Sequence, residues 1–504
     1  MSQMKISGTS PARSPLPAKT GSHNGVAAPR ARSTAPRAAS VGATELLQVA
    51  TDPLTDAQAR EMHRKCRGKL CEALPDSFVV MTGANEVPRN GIDVTFPFRQ
   101  KSDFYYLTGV DAPGFALVLD TAAHKLTLLA PELPPEFAVW VGSVPTLDDI
   151  AQRYGADDVA FYKKGELREA VAGALKKLGA ADGGAQVHVD AAGDLEAAAA
   201  VEGAAAGGDG DAALAAAMKA CRVAKIEEEL QCIAHANLVS GRAHAHLMAQ
   251  CAPGMREFQM EAAFRHATMH GGLLQLGYPV IAAAGKNGAI MHSAAGQTAV
   301  RDQELVLVDA GAEHRCYTAD ITRTWPCGSR GFGAAARDVY GTCLAMQELG
   351  LERVKAGADW KETNAAVRRL MLEGLLDVGV VRGRVDDMLE REIDKLFMPH
   401  NLGHYLGLDV HDVGPSGPVP ETLEDGAVVT VEPGVYFIEA LLEPALGAGP
   451  KKEFLNEDVI RNMMDMGGVR IEDNVAVTET GHVNLTPAEC VKAPEDVEAA
   501  CRGA

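Results

Sequence analysis

The chain has 504 residues, of which 47% are hydrophobic and 23% are charged, and these proportions exclude a largely disordered protein. Its formal net charge of −19 argues against non-specific binding to nucleic acid, because phosphate neutralisation requires clustered Lys and Arg. Its apolar runs fall short of the roughly 18 residues that a membrane span requires. The sequence therefore predicts a soluble protein of two domains, with small molecules, peptides or metal cations as partners.

The first 43 residues contain no Asp or Glu, carry six Lys and Arg residues, and consist mostly of Ser, Pro, Ala and Gly. This composition is typical of an organellar transit peptide. It is equally typical of a disordered basic tail, because so few bulky apolar residues cannot offset the entropy of ordering. The sequence predicts a cytoplasmic protein, with the chloroplast or the mitochondrion as the alternative destination.

Residues 44–190 alternate between strand and helix patterns and predict a first α/β domain. FALVLD and KLTLLAP predict a hairpin of buried strands, whereas TLDDIAQRYG and GELREAVAGALKKLG show helical spacing behind capping residues. Residues 191–213 are rich in Ala and Gly and predict a linker. The second domain is expected to occupy residues 214–504, beginning with helical patterns and continuing with strands and longer helices.

The stretch ELVLVDAGAEHRCYTADITRTWP, residues 304–326, places Asp309 and Asp320 in what reads as two apolar strands joined by a polar turn. Strand interiors normally exclude Asp, because its short charged side chain does not tolerate burial without a partner. The turn would fold the strands antiparallel and bring both carboxylates together. Carboxylates that close repel each other unless a proton or a cation lies between them. The pair therefore predicts a divalent-cation site.

The stretch FMPHNLGHYLGLDVHDVG, residues 397–414, holds three histidines: His400, His404 and His411. The spacing of the first two is that of a zinc-binding helix, yet no Glu follows His400 and two glycines disfavour a helix. A glycine-rich loop is the better prediction. Such a loop can present one imidazole to a metal ion and keep the others beside a substrate.

Two further segments place carboxylates in apolar strands. AVVTVEPGVYF predicts a buried strand that ends at Glu432, and GGVRIEDNVAV alternates so that Arg470, Glu472 and Asn474 share one face. Each segment alone has a structural explanation, such as a buried ion pair. Together, four acids and a histidine on strands would destabilise a core without cations. Oxygen-rich ligation with one imidazole favours Mn²⁺ over a cysteine-rich zinc site, although other divalent ions would fit.

At these residues the sequence resembles the pita-bread metallopeptidases, a family that includes prolidase, aminopeptidase P, methionine aminopeptidase and the metal-free creatinase. The stretch FPFRQKSDFYYLTGVDAPG is similar to the family's amino-terminal module. The resemblance implies an α/β (α+β) fold, with an N-terminal creatinase-like α/β domain followed by a C-terminal pita-bread catalytic domain. The family's pattern of D, D, H, E, E is present in order as Asp309, Asp320, His404, Glu432 and Glu472.

The resemblance also implies how these residues divide the metal site between them. Asp309 would chelate one of two Mn²⁺ ions, and Asp320 and Glu472 would bridge both. His404 and Glu432 would complete the second site, and Glu432 would also move a proton from the bridging water to the leaving nitrogen. The implied reaction is attack of a metal-bridging hydroxide on the carbonyl carbon of an Xaa-Pro bond.

Other residues match family positions around the metal site. His292 and His411 match histidines that face the substrate carbonyl. His400 and Arg470 match supporting positions that orient the ligands. The family further implies a homodimer in which Trp140 reaches the partner's substrate pocket, and the alternative for Trp140 is an ordinary core aromatic.

The stretch between the two glutamates, residues 437–474, is similar to that of eukaryotic-type prolidases, so the resemblance implies an Xaa-Pro dipeptidase. One departure keeps aminopeptidase P, which acts on longer peptides, as the alternative. The prolidases carry a longer loop with an Arg that recognises the C-terminal carboxylate of the dipeptide, whereas residues 412–428 contain no Arg or Lys. A non-enzymatic binding protein of the same fold is the third hypothesis, and the intact ligand set disfavours it.

Overall fold

The protein is described by a computed structural model that covers residues 47–180, 186–190 and 211–502. The predicted leader, residues 1–43, lies outside the described residues, and so does most of the predicted linker. The predicted domain bounds stay a prediction. Across the described ranges, none of the helices combines the length and the hydropathy that a membrane crossing demands.

The amino-terminal part is built on a five-stranded mixed sheet of β1 Ser77–Thr82, β2 Ala116–Asp120, β3 Lys125–Pro131, β4 Asp158–Tyr162 and β5 Gln186–Val189. These strands lie in the order β4-β3-β2-β1-β5. The hairpin predicted from FALVLD and KLTLLAP is confirmed, because β2 and β3 pair antiparallel with Leu117 opposite Leu128. The two outer strands pair in parallel with their neighbours.

Helices cover this sheet, which explains why its central strands are apolar along their whole length. The two helices predicted by their capping residues are confirmed, and the Thr146 side chain caps one of them by accepting a hydrogen bond from the Asp149 backbone N–H. The helices of this part are α1 Asp56–Ala73, α2 Ser102–Thr108, α3 Ala138–Val141, α4 Leu147–Tyr154, α5 Leu167–Lys177 and α6 Ala212–Val223.

The carboxy-terminal part packs helices around four small antiparallel sheets. Its helices are α7 Glu227–Gln250, α8 Glu257–His270, α9 Ala334–Glu352, α10 Trp360–Asp377, α11 Val385–Glu390, α12 Asp394–Phe397, α13 Glu439–Gly447, α14 Glu457–Met463 and α15 Pro494–Cys501. Its strands are β6 Gln275–Leu276, β7 Ile281–Ala284, β8 Leu305–Asp309, β9 Ala312–His314, β10 Tyr317–Thr318, β11 Thr322–Pro326, β12 Val428–Val431, β13 Gly434–Tyr436, β14 Gly468–Arg470, β15 Asp473–Thr478 and β16 Gly481–Asn484.

The antiparallel pairing predicted around the two aspartates is confirmed, because β8 pairs with β11 and Asp309 lies opposite Thr322. The turn falls at Arg315 and Cys316, both of which have positive φ angles. One detail differs from the prediction: Asp320 lies between β10 and β11 and not inside a strand. Its backbone N–H donates to the Asn474 side chain, at 2.8 Å, instead of to a neighbouring strand.

Three of the predicted ligands lie just outside strands, in the short segments that follow or separate them. Asp320 separates β10 from β11, Glu432 follows β12, and Glu472 lies between β14 and β15. The β12–β15 ladder brings the last two together, with Val431 opposite Asp473. The mixed α/β fold class predicted from the sequence is thus confirmed, and the strand pairings gather the candidate ligands from distant parts of the chain.

Replacing Gly311 by Ala should destabilise the fold near Asp320. A Cβ at this position would lie 1.8 Å from the Ala319 carbonyl oxygen, so the strands on either side would have to separate, at a cost of about 1–3 kcal/mol. The matched control is Gly341→Ala in α9, where a Cβ would meet no atom within 4 Å. Thermal unfolding should show a lower midpoint for the first variant alone, and equal midpoints would contradict this account.

Candidate metal centre and active-site cavity

A cavity of about 340 Å³ lies over the ends of β8 and β12. The chain has a larger cleft, of about 790 Å³, beside α1 and α4, but the predicted ligands meet in the smaller cavity. The five predicted metal ligands all line it: Asp309, Asp320, His404, Glu432 and Glu472. Four other predicted site residues also line it: His292, His400, His411 and Arg470.

Two of the ligands share one phenol. The Tyr278 hydroxyl lies 2.6 Å from Asp309 Oδ1 and 2.5 Å from Asp320 Oδ1. A single hydroxyl has one proton to donate, so it neutralises only part of the repulsion between the two carboxylates. The sequence offered no signal for Tyr278, because it lies 31 and 42 positions away from the two acids in a segment without a motif.

His404 lies between two further carboxylates. Its Nε2 is 3.4 Å from Asp320 Oδ2 and 3.4 Å from Glu432 Oε1, and its Nδ1 lies 2.9 Å from the Tyr405 carbonyl oxygen. With a proton on Nδ1 donated to that carbonyl, Nε2 of the neutral ring is free to bind a cation. Burial lowers the pKa of His404, but the two carboxylates outweigh it and raise the pKa to about 9.

Glu472 completes a compact group of donors. One ligand atom each from Asp320, His404 and Glu472 can be chosen so that all three lie within 4.8 Å of one another. Glu472 Oε2 accepts a hydrogen bond from the Thr322 hydroxyl at 2.6 Å, whereas its Oε1 is buried without a hydrogen-bond partner. A buried carboxylate oxygen without a partner is costly, and a divalent cation would supply the missing partner. The residues present therefore fit a metal site.

The raised pKa values of the acids in this cluster also indicate a site for positive charge. Burial and the charge of Asp309 raise the pKa of Asp320 to about 6. Burial raises the pKa of Glu432 to about 7, although His404 and Arg470 oppose the rise. Burial and the neighbouring acids also hold the pKa of Glu472 well above its ordinary value. The cluster therefore demands positive charge, either as protons or as cations.

Arg470 supplies part of that charge from one side. Its guanidinium donates to Asp309 Oδ2 at 2.6 Å, to the Thr322 hydroxyl at 3.0 Å and to the Tyr436 hydroxyl at 2.9 Å. His400 reaches the same Tyr436 hydroxyl through Nε2, at 2.9 Å. Burial and the nearby Arg470 charge lower the pKa of His400 to about 3, so this imidazole stays neutral beside the cluster.

His292 and His411 line the cavity next to the metal ligands. The ring centroids of His411 and His404 are 4.4 Å apart. Burial and the neighbouring His404 charge lower the pKa of His411, which favours its neutral form. Two imidazoles beside this carboxylate cluster offer hydrogen-bond donors to an oxygen that gains negative charge.

Trp140 lies apart from this cavity. It belongs to the short helix α3, and 81% of its surface is exposed. The alternative that Trp140 is an ordinary core aromatic is therefore wrong. Its neighbours Val139 and Val141 are also exposed, so α3 presents an apolar surface to solvent.

The two parts of the chain match two different protein-family models. Residues 231–479 match the model of metallopeptidase family M24, and residues 63–179 match the aminopeptidase P N-terminal domain. The chain is 34% identical to a probable Xaa-Pro aminopeptidase of Aspergillus clavatus, over 81% of this chain and 89% of that protein. It is 33% identical to the Xaa-Pro dipeptidase of Rattus norvegicus, over 87% of this chain and 92% of that protein.

Among solved structures, the aminopeptidase PepP of Pseudomonas aeruginosa superposes with a TM-score of 0.75 at 29% identity, covering 90% of this chain and 99% of that one. The likeness extends through both parts of the fold. It agrees with the predicted resemblance to the prolidase and aminopeptidase P branch. The chain thus belongs to metallopeptidase family M24, the pita-bread metallopeptidases.

Proposed function

We propose that this protein is an exopeptidase that hydrolyses the Xaa-Pro bond at the amino terminus of peptides, using two divalent cations, with Mn²⁺ as the expected metal. The observation that carries the proposal is the convergence of five metal-binding side chains in one cavity, where Glu472 Oε1 lacks a partner. The relatives named Xaa-Pro aminopeptidase and Xaa-Pro dipeptidase support the choice of substrate.

The five ligands would divide as the family resemblance implies, with Asp320 and Glu472 shared between the cations. Bound cations would lower the pKa of a water and polarise the carbonyl of the scissile bond. A metal-free hydrolase is disfavoured, because the cluster would then retain its repulsion. A non-enzymatic binding protein is disfavoured too, because it has no chemical reason to keep these acids together.

The protein's own side chains would handle protons and position the substrate. Glu432, whose Oε1 lies 3.4 Å from His404 Nε2 in the cavity wall, would accept a proton and pass it to the leaving proline nitrogen. His292 and His411 would donate hydrogen bonds to the carbonyl oxygen as it gains charge. Arg470 and His400 would hold Asp309 and Tyr436 in place.

The loop after His411 bears on the length of the peptide. Pro418 and Val419 form its share of the cavity wall, and among the described lining residues Arg470 is the one Arg or Lys. Arg470 is already committed to Asp309. The free carboxylate of a dipeptide would therefore find no unpaired Arg or Lys side chain among these lining residues. We infer that the site accepts longer peptides as well as dipeptides. Strict dipeptidase activity, as in the rat relative's name, is the second candidate.

A homodimer remains part of the proposal. The exposed apolar surface of α3, which includes Trp140, supports a contact with a second copy.

Asp320→Asn should abolish hydrolysis of Xaa-Pro substrates in the presence of Mn²⁺. The amide removes a negative charge from a ligand that we assign to both cations, so activity should fall by about a thousandfold or more. The measurement is kcat/KM on Gly-Pro, with bound metal quantified in parallel. The matched control is Asp338→Asn on the exposed face of α9, which should behave like the wild type. Full activity in the Asp320 variant would overturn the site assignment.

Mn²⁺ should raise the thermal unfolding midpoint of chelator-treated protein more at pH 8 than at pH 5. The folded pKa values of Asp320 and Glu432, about 6 and about 7, lie above the ordinary value of about 4. Protonation therefore stabilises the cation-free fold at low pH, and this stabilisation is lost as the pH rises through 6 and 7. His404, whose pKa is raised to about 9, loses its stabilising positive charge as the pH rises toward that value. Its deprotonation therefore also lowers the stability of the cation-free fold at higher pH.

The comparison for this experiment is an equal ionic strength of NaCl, which should give a small shift at both pH values. A Mn²⁺-induced shift that does not change with pH would contradict the proposed coupling between protons and cations.

Gly-Pro-Ala and the amide Gly-Pro-NH₂ should be hydrolysed at least as well as Gly-Pro. The reason is that the free carboxylate of Gly-Pro meets no unpaired Arg or Lys side chain in the described cavity wall. Relative kcat/KM values check this, with Gly-Ala-Ala as the substrate without proline. Val419→Arg should move the preference toward Gly-Pro. A strong preference of the wild type for Gly-Pro would instead favour the strict dipeptidase.

A further inference from the structure

A buried cluster of charges lies beside the loop that carries His411. Arg222, at the end of α6, is 3% exposed. Its guanidinium donates to Asp103 Oδ1 at 2.7 Å, to Asp409 Oδ2 at 2.6 Å and to Asp412 Oδ1. Lys225 donates to the second oxygen of Asp412 at 3.0 Å. One planar guanidinium thus binds three carboxylates, two of which belong to the same loop.

Asp412 links this cluster to the cavity. It follows His411 directly in the chain and is 1% exposed. Its two carboxylate oxygens accept hydrogen bonds from Arg222 and Lys225. Its backbone N–H donates to the Tyr405 carbonyl oxygen at 2.9 Å, next to His404. The packing is tight, because a Cβ on Gly407 would lie 2.2 Å from Asp412 Oδ2. The Asp412 carboxylate is thus held by Arg222 and Lys225 and packs closely against Gly407, directly beside His411 in the chain.

Residues of the amino-terminal module donate hydrogen bonds to the same loop. Ser102 in α2 donates to Asp409 Oδ1 at 2.7 Å, and Arg99 donates to the Leu408 carbonyl oxygen at 2.6 Å. Asp103 of the same helix receives Arg222. The loop is thus bound to β12 by backbone hydrogen bonds, such as Leu406 N–H to the Val428 carbonyl, and to the first module by side chains.

We propose that Arg222 is a positioning residue for catalysis, which sets the place of His411 through Asp409 and Asp412 and makes the geometry of the cavity depend on the amino-terminal module. The inference rests on the proposed function, because it assigns His411 to the substrate carbonyl. Arg222, Lys225 and Asp409 do not belong to the cavity lining described above. The fork of Arg can serve several carboxylates at fixed angles, which a Lys ammonium cannot.

Arg222→Gln and Asp409→Asn test the proposal in the full-length chain. Both should lower kcat on Gly-Pro-Ala, by about tenfold and about threefold, because small misplacements of a catalytic group are costly. KM and bound Mn²⁺ should stay within about twofold of the wild type, since substrate and metal contacts remain. The matched control is Arg337→Gln in α9, which removes another Arg that donates to two carboxylates, those of Glu498 and Glu495 at 2.6 Å each, and kcat should be unchanged.

Hydrogen exchange followed by mass spectrometry gives a second measurement that does not depend on activity. Peptides covering residues 403–414 should exchange faster in both variants, while peptides covering β15 should exchange as in the wild type. If Arg222→Gln fails to fold, Asp409→Asn decides, because Asp409 is half-exposed. Unchanged kcat and unchanged loop exchange in folded Asp409→Asn would overturn the proposal, as would a fall in kcat that only follows lost Mn²⁺.

These outcomes separate the inference from the proposed function. A wild-type protein that hydrolyses no Xaa-Pro peptide would defeat the proposed function. The exchange of the 403–414 loop would still report whether Arg222 holds it.

Discussion

The structure depends on the repulsion among four carboxylates that share one poorly solvated cavity. Asp320 and Glu472 are almost fully buried, at 5% and 1% exposure, and the one positive charge of a protonated His404 cannot neutralise both. A buried charge must be paired or it destabilises the fold. Arg470, Tyr278 and His404 meet part of this demand, and the remaining demand for positive charge is what makes the cavity a metal site.

The fold satisfies this constraint by bringing together segments that are far apart in the chain. The β8–β11 ladder supplies the two aspartates, the 403–414 loop supplies His404, and the β12–β15 ladder supplies the two glutamates. Each ladder is short and apolar, so its position is fixed by packing and backbone hydrogen bonds, and the acids stand at its ends. Helix α9 packs against β12, β13 and β14.

The sequence singled out the candidate ligands because Asp and Glu inside apolar stretches are anomalies, and Asp309 and Glu432 could be recognised from a few neighbouring residues. It also revealed the first-domain hairpin, because two short apolar runs separated by a few turn residues are a local signal. Tyr278 and Arg222 could not be found in this way, because their partners lie tens to nearly two hundred residues away. The sequence left the exposure of Trp140 undecided, because a short apolar run does not reveal which side of a domain it faces.

The position of three ligands in the gaps between strands separates the chemistry from the folding. The Asp320 backbone bonds to the Asn474 side chain, and the Glu432 and Glu472 backbones bond to residues of other segments. The β8–β11 and β12–β15 pairings, as described, do not include these three residues. An inactive variant should keep the shape of its cavity, so this chain is well suited to capture an intact peptide for crystallography. The same separation would let natural descendants of the fold lose their cations and keep the architecture as a binding surface.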